Sequence, residues 1–365
     1  DTQDARLLPH SLDDAPGEAR LVEETLGAMA ALCPEEDADL GGIHRRALES
    51  ALALEVTLRA DDPAQVYWAS TRGRSVALRA APIDVGASLA AALYDSVDSV
   101  VFTSATLQAG GGFDYVLERL GLTGRATDTL RVDSPFDYQR QALLYVPGYL
   151  PPPADPEWTV QFAREVFRLL ALSGGRAFVL FTSYKHMEAV HALVAPHLKL
   201  PVLKQGEAPR RALLSRFVEE PSVLFATQSF WEGVDVPGAA LSMVIIDRLP
   251  FAPPNEPLQA ARMDAVRERG GKPFDEYQVP QAALALRQGF GRLIRTARDF
   301  GVVAIGDSRL VTKRYGRRFL ESLPRAAQAK PENIGAKYET VLDRGDLGAM
   351  AGRAKERKVL SISAQ

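Results

Sequence analysis

The sequence predicts an α/β protein whose larger, C-terminal part is a parallel sheet with helices on both faces. Two observations carry this. From residue 158 onward, short and almost wholly apolar runs alternate with helical stretches of ten or more residues. The apolar runs also lack the every-second-residue polarity of a half-wetted sheet, so both of their faces must be covered. A third observation concerns function: small hydroxyls, carboxylates and arginines gather just beyond the apolar runs, where such sheets collect ligands.

In chain order, residues 18–60 carry apolar positions at helical spacing (Leu21, Leu26, Met29, then Leu48, Leu52, Leu54) with a break near Cys33-Pro34 and Gly41-Gly42. Helices are predicted there. Val66-Tyr67-Trp68-Ala69 and Ser75-Val76-Ala77-Leu78, split by Thr71-Arg72-Gly73, read as a hairpin. Val85 to Leu93 is predicted helical, Ser99-Val100-Val101-Phe102 a short buried strand, and Phe113–Leu120 a helix after the Gly110-Gly111-Gly112 loop. Pro147, Pro151, Pro152, Pro153 and Pro156 exclude a regular element between them. Predicted strands follow at Ala177–Phe181, Pro201–Leu203, Val223–Ala226, Leu241–Ile246 and Gly301–Ile305. A domain boundary is placed near residue 135, giving segments 1–62, 63–134 and 135–365.

A chain of 365 residues suits two domains, each with its own core. The apolar fraction of 46% and charged fraction of 24% exclude a disordered polyelectrolyte. Residues 1–60 hold 13 Asp or Glu against 5 Lys or Arg, a net of −8, which leaves +5 for the rest of a chain whose net charge is −3. A mildly basic body suits a polyanionic partner, although a solvated acidic surface explains the same asymmetry. Cys33 is the only cysteine, so no intrachain disulfide and no Cys-rich metal site is expected, and the compartment is read as cytoplasmic. No apolar run approaches the roughly 20 residues needed to span a bilayer. The chain opens Asp1-Thr2-Gln3 rather than with methionine, which reads as a fragment.

Four segments bear chemistry. Thr103-Ser104-Ala105-Thr106 gathers hydroxyls at the end of a predicted strand, as a phosphate contact or as a capping turn. Phe181-Thr182-Ser183-Tyr184 offers hydroxyls, an aromatic ring and backbone donors, suited to a phosphate, to a stacked base or to a helix N-cap. Thr227 to Asp235 (Thr-Gln-Ser-Phe-Trp-Glu-Gly-Val-Asp) crowds two carboxylates and a glycine beyond a strand, which a polar βα loop also does. In Gln288-Gly289-Phe290-Gly291-Arg292-Leu293-Ile294-Arg295, Arg292 and Arg295 are three apart and so are predicted on one helix face. The two glycines cost a helix roughly 1 kcal/mol each, which asks for a compensating close approach. Planar guanidinium pairs suit a polyphosphate, and surface salt bridges are the plainer use.

Together and in this order, these segments resemble the second half of the DinG/XPD family of superfamily two helicases. Ser104-Ala105-Thr106 is similar to the S-A-T motif, and Phe181-Thr182-Ser183-Tyr184 to a strand-contacting motif. Trp231-Glu232-Gly233-Val234-Asp235 is similar to W-E-G-x-D, Gln288 to Arg295 to Q-G-x-G-R-x-I-R, and Asp307 with Arg309 to D-x-R. The linking phrases Ala81-Pro82-Ile83-Asp84-Val85, Ser134-Pro135-Phe136 and Arg248-Leu249-Pro250-Phe251-Ala252-Pro253-Pro254 resemble the bacterial DinG branch. The resemblance runs from about residue 65 to 325.

It implies that residues 1–62 belong to a helical arch, 63–134 to the end of a first RecA-like domain and 135–365 to a second. It implies that Gln288, Arg292 and Arg295 face the phosphates of ATP. Glu232, Gly233, Asp235 and Gly289 would line the nucleotide, and Thr103, Ser104, Thr106, Thr182, Ser183, Tyr184 and Trp231 would meet single-stranded DNA. The implied activity is ATP-driven 5′ to 3′ movement on that strand by a monomer, with ATP and Mg²⁺ held mainly by residues not in this chain. The 365 residues contain no G-x-x-x-x-G-K-[S/T] loop, no D-E-A-H and no set of four iron–sulfur cysteines, so this portion alone is expected to be inactive. Two other readings stay open: a nucleic-acid-binding module without turnover in an exonuclease-fused relative, and a pure interaction scaffold.

Overall fold

The computed structural model describes residues 2–8, 16–37, 40–227, 230, 236 and 238–343. The chain divides into two compact units. One comprises Asp1–Phe102, Leu117–Ala126 and Ala252–Tyr277; the other comprises Thr103–Val116, Thr127–Phe251 and Gln278–Gln365.

The first unit is built on a three-stranded antiparallel sheet of β1 (Thr2–Leu7), β2 (Gln65–Arg72) and β3 (Ser75–Pro82), in the order β1-β2-β3. The predicted hairpin is β2–β3. Arg72 pairs with Ser75, so only Gly73 and Arg74 form the turn, and Gly73 takes a φ of 59°. Glycine at the first central position is what a primed two-residue turn needs. The predicted helices are Pro16–Leu32 and Gly41–Arg59. His44 ties them by sharing its Nδ1–H between the carbonyls of Ala30 and Cys33, at 2.8 Å each. Of the apolar positions that predicted them, Leu21, Met29, Leu48 and Leu52 are exposed. β1 carried no signal in the sequence; it exists through its full pairing with β2.

Ser99–Phe102, expected as a buried strand, forms none, and Val101 is 86% exposed. Its side chains are apolar enough, but a strand is completed by a neighbour's backbone, and none pairs with it among the described residues. The helix predicted after it is present at Asp114–Arg119.

The second unit is a seven-stranded sheet in which every pairing is parallel. Its strands are β4 (Ala142–Tyr145), β5 (Ala177–Phe181), β6 (Val202–Lys204), β7 (Val223–Thr227), β8 (Met243–Ile246), β9 (Gly301–Ile305) and β10 (Ala327–Ala329), in the order β10-β4-β9-β8-β5-β7-β6. Successive side chains point to opposite faces, and both faces are sealed. Phe178, Leu180, Val244, Ile246, Val303 and Ile305 join a core with Leu286 and Phe290 of the helix Val279–Phe290. Val179, Phe181, Met243, Ile245, Val302 and Ala304 join another with Trp158, Phe162 and Val166 of the helix Trp158–Ser173. This is the α/β fold that the apolar runs predicted.

Candidate nucleotide and nucleic-acid site

The second unit concentrates polar chemistry in two places. The first is the carboxyl edge of the sheet. β8 is followed by Asp247, which is fully buried. Its carboxylate accepts from the Thr182 backbone N–H at 3.0 Å, the Thr182 hydroxyl at 3.2 Å and the Arg248 backbone N–H at 2.6 Å. The Arg248 guanidinium lies 3.5 Å from the same carboxylate and donates to Thr182 Oγ1 at 2.8 Å, with its central carbon 5.8 Å from the centre of the Trp158 ring. Complete burial pushes the Asp247 carboxyl up to about 7, although Arg248 and the donated N–H groups pull the other way. Asp307, beyond β9, is equally buried; Arg309 grips it through Nε at 2.9 Å and Nη2 at 2.6 Å, and the Leu249 N–H adds a third bond at 2.9 Å.

On this edge Ser183 acts as an N-cap, its hydroxyl accepting from the His186 N–H at 3.3 Å. Tyr184 is exposed and its hydroxyl meets Gln205 Nε2. The other end of Gln205 accepts from the Thr227 N–H at 2.7 Å and the Thr227 hydroxyl at 3.0 Å. One amide thus joins Tyr184, at the start of the helix after β5, to the residue that ends β7. Trp231, Glu232, Gly233 and Asp235, expected at the nucleotide or the strand, lie outside the described residues.

The second place is an open cavity of about 1660 Å³ whose lining residues all belong to this one unit. Ser104, Thr106, Gln288, Arg292 and Arg295 line it together, although they come from two segments far apart in sequence. Gly289 is buried behind it, and Thr103 is exposed outside the lining. Ser104 and Thr106 form a local turn in which Ser104 Oγ accepts from the Thr106 N–H at 3.2 Å.

The expectation that Arg292 and Arg295 share a helix face is corrected by the structure. The helix ends at Phe290, with Gly291 at its cap. The chain from Gly291 to Phe300 is an ordered loop instead. Its organiser is Asp299, which is 5% exposed and accepts from the Arg295 N–H, the Thr296 N–H and the Thr296 hydroxyl, each at 2.7 Å. Gln141 Nε2 donates to the carbonyls of Thr296 and Asp299 at 3.0 Å each. A carboxylate that satisfies loop donors replaces the helical bonds that the two glycines make weak.

The residues that sequence reasoning missed are those that fix others: Asp247 and Arg248 around Thr182, Gln205 around Thr227, Asp299 around Arg295. A lone acid beyond a four-residue apolar run was the only available signal for Asp247, and it has no local pattern.

Residues 166–326 match the Helicase C-terminal domain family. The chain is 43% identical to the ATP-dependent DNA helicase YoaA of Haemophilus influenzae, over 73% of its own length and 42% of that protein. It is 42% identical to the ATP-dependent helicase DinG of Mycobacterium tuberculosis, over 68% of its own length and 38% of that protein. It therefore spans about two-fifths of the length of these curated relatives. A solved XPD helicase superposes on 84% of the chain and 55% of its own, with a TM-score of 0.55 at 15% identity, which establishes a shared fold. The matching family, the relatives and the parallel sheet shared with XPD together support a DinG/XPD-type helicase family member.

Proposed function

We propose that this chain is the C-terminal portion of an ATP-dependent DNA helicase that couples ATP hydrolysis to 5′ to 3′ movement on single-stranded DNA. The observation that carries the reading is the cavity that gathers Gln288, Arg292 and Arg295 with the hydroxyls of Ser104 and Thr106. Guanidinium forks spread over several oxygens match the dispersed charge of a transferring phosphoryl group. In this reading residues 1–62 belong to a helical arch, 63–134 to the end of a first RecA-like domain and 135–365 to a second.

Arg292 and Arg295 meet the terminal phosphate of ATP, and Gln288 orients the attacking water. Thr182, Ser183 and Tyr184, with Trp231, hold the strand, and the link of Tyr184 through Gln205 to Thr227 couples that grip to the segment of the sequence that carries Glu232, Gly233 and Asp235. Mg²⁺ accompanies ATP and would be held mainly by residues outside this chain; among the described residues no group of three His, Cys, Asp or Glu could hold a metal. With Cys33 alone, this chain also supplies no four-cysteine cluster. The Walker-type loop that completes the site belongs to the remainder of the protein.

The test is single-strand-stimulated ATP hydrolysis by the full-length protein, wild type beside Arg292→Ala. Strong stimulation that falls by roughly 10³-fold or more in the variant, the scale of arginine-finger contributions, supports the motor. Absence of hydrolysis in the wild type would turn the reading to a nucleic-acid-binding module without turnover.

A further inference from the structure

Arg287 lies in the last turn of the helix Val279–Phe290, one residue before Gln288, and lines the same cavity. It is half-buried, and among the described residues its guanidinium has no hydrogen bond and no ion pair. Three other arginines of this unit have carboxylate partners. Arg309 grips Asp307, Arg168 grips Glu165, and Arg317 at the cavity pairs with Glu321 at 2.7 Å. The other carboxylates of the lining are engaged as well. Asp137 caps the helix Tyr138–Gln141, and the solvated Asp133 lies 3.8 Å from Arg131.

The charges acting on Arg287 make it stranger. Burial disfavours its ionised form, and Arg131 adds a like charge rather than relief, with Tyr138 the only compensating influence. The negative end of the helix offsets part of this. Among the described residues, however, no carbonyl takes any of its five donors. A partly desolvated cation without a partner is a cost that folded chains carry mainly where a ligand brings the anion.

We propose that Arg287, with Arg131 beside it, is a phosphate-binding residue that holds a second phosphoryl group of the polyphosphate met by Arg292 and Arg295. The ligand class is a tripolyphosphate chain, and the proposal rests on the nucleotide reading of this cavity. Arg287 acts by binding, one helical turn before the loop that presents the other two arginines.

The experiment is calorimetric titration of the 365-residue chain with inorganic tripolyphosphate, alongside thermal unfolding. Wild type binds, Arg287→Gln weakens binding roughly tenfold or more, the scale of a lost charge-assisted pair, and Arg287→Lys restores part of it. Arg20→Gln, an exposed charge in the other unit, leaves binding unchanged. Unliganded Arg287→Gln melts at the same or a higher temperature than wild type, because the variant removes an unpaired, half-buried charge; a structural cation would lower it. Equal affinity of wild type and Arg287→Gln, or no binding by wild type, overturns the proposal. So does a loss of affinity in Arg287→Gln for a single-stranded oligonucleotide alone, which would make the phosphate the strand's. Binding through Arg287 by a protein that hydrolyses no ATP would sustain this inference while the motor reading fell; hydrolysis with unchanged tripolyphosphate affinity would do the reverse.

Discussion

Asp247 holds Thr182 by both of its donors, the backbone N–H at 3.0 Å and the hydroxyl at 3.2 Å. The residue beyond β8 therefore sets the orientation of the first residue beyond β5, and Arg248 completes the arrangement from the solvent side. A hydroxyl that donates to a buried carboxylate and accepts from two N–H groups of Arg248 is held in one orientation rather than turning as a free rotor.

The first prediction concerns pH. Burial raises the Asp247 carboxyl from the usual 3.8 to about 7, so the fold holds that proton more tightly than the unfolded chain does. Its contribution to stability is complete below pH 3.8 and is lost as pH rises through about 7. His186 opposes this. Burial, with Arg248 next in size, lowers its imidazole, so its contribution is lost as pH falls below the usual 6.5. Thermal midpoints of wild type and Asp247→Asn, measured from pH 5 to 8, should show the wild type losing more stability toward the alkaline end. Parallel curves would refute the assignment.

The second prediction couples Gly238 to Asp299. A Cβ built on Gly238 would lie 1.7 Å from Asp299 Oδ1, so Gly238→Ala must displace the carboxylate that organises the arginine loop. The cost is about 1–3 kcal/mol, as for other overpacked sites. Asp299→Ala leaves buried loop donors unmet, at about 2 kcal/mol. The double variant should be much less destabilised than the sum, because the second change removes what the first one strikes. Additive denaturant midpoints would show that the two do not meet.

In the full-length protein, Asp299→Ala should also reduce kcat for single-strand-stimulated ATP hydrolysis about 10- to 100-fold while KM changes little, since Arg295 keeps its charge but loses its aim. Asp299→Asn, which retains an acceptor oxygen, should recover part of the rate. Equal loss in both variants would reject the positioning role.

A fourth prediction tests the network behind the sheet. Glu165 is 4% exposed and accepts from Tyr149 at 2.5 Å and from Arg168 at 3.0 and 2.5 Å. Burial alone would raise its carboxyl, but the Arg168 and Tyr149 bonds outweigh it and hold the group below the usual 4.5. Its contribution is therefore present above pH 4.5 and is lost as the pH falls below it. Arg168→Met should cost about 1–2 kcal/mol at pH 7, a figure reduced because the Arg168 side chain is 40% exposed. The deficit should shrink at pH 4; a deficit independent of pH would count against the pair.

The last prediction concerns Gln205. Gln205→Ala frees both Tyr184 and Thr227 from a shared anchor, so affinity for a single-stranded oligonucleotide should fall about threefold to tenfold while its salt dependence stays the same, since no charge is lost. A shallower salt slope would instead mark a lost phosphate contact.

What could be read in advance followed from how local each signal was. Ala177–Phe181 and Gly301–Ile305 are continuous apolar runs, and both are strands at the predicted bounds. β4 escaped notice because four apolar residues between Gln141 and Val146-Pro147 are too short to separate from a loop. β10, Ala327-Gln328-Ala329, is a strand only because β4 pairs with it. Ser99–Phe102 failed in the opposite sense, with adequate composition and no partner. At the site, Gln288, Arg292 and Arg295 were legible as residue types, but their loop was not. Its shape depends on Asp299, which acts from the far end of that loop rather than through a repeating pattern.

The strand order has a consequence for how this domain comes into being. β4 lies between β9 and β10, so the first strand of the sheet to be synthesised has both of its neighbours among the last. Until Gly301 and then Ala327 have emerged, Leu143 and Leu144 have no ladder to join, and their edges stay open to other chains. The nucleus should therefore form around β5, β7 and β8, with β4 inserted late. Slow acquisition of the last protected amides, in β4 rather than in β5, would be its signature in pulsed hydrogen exchange.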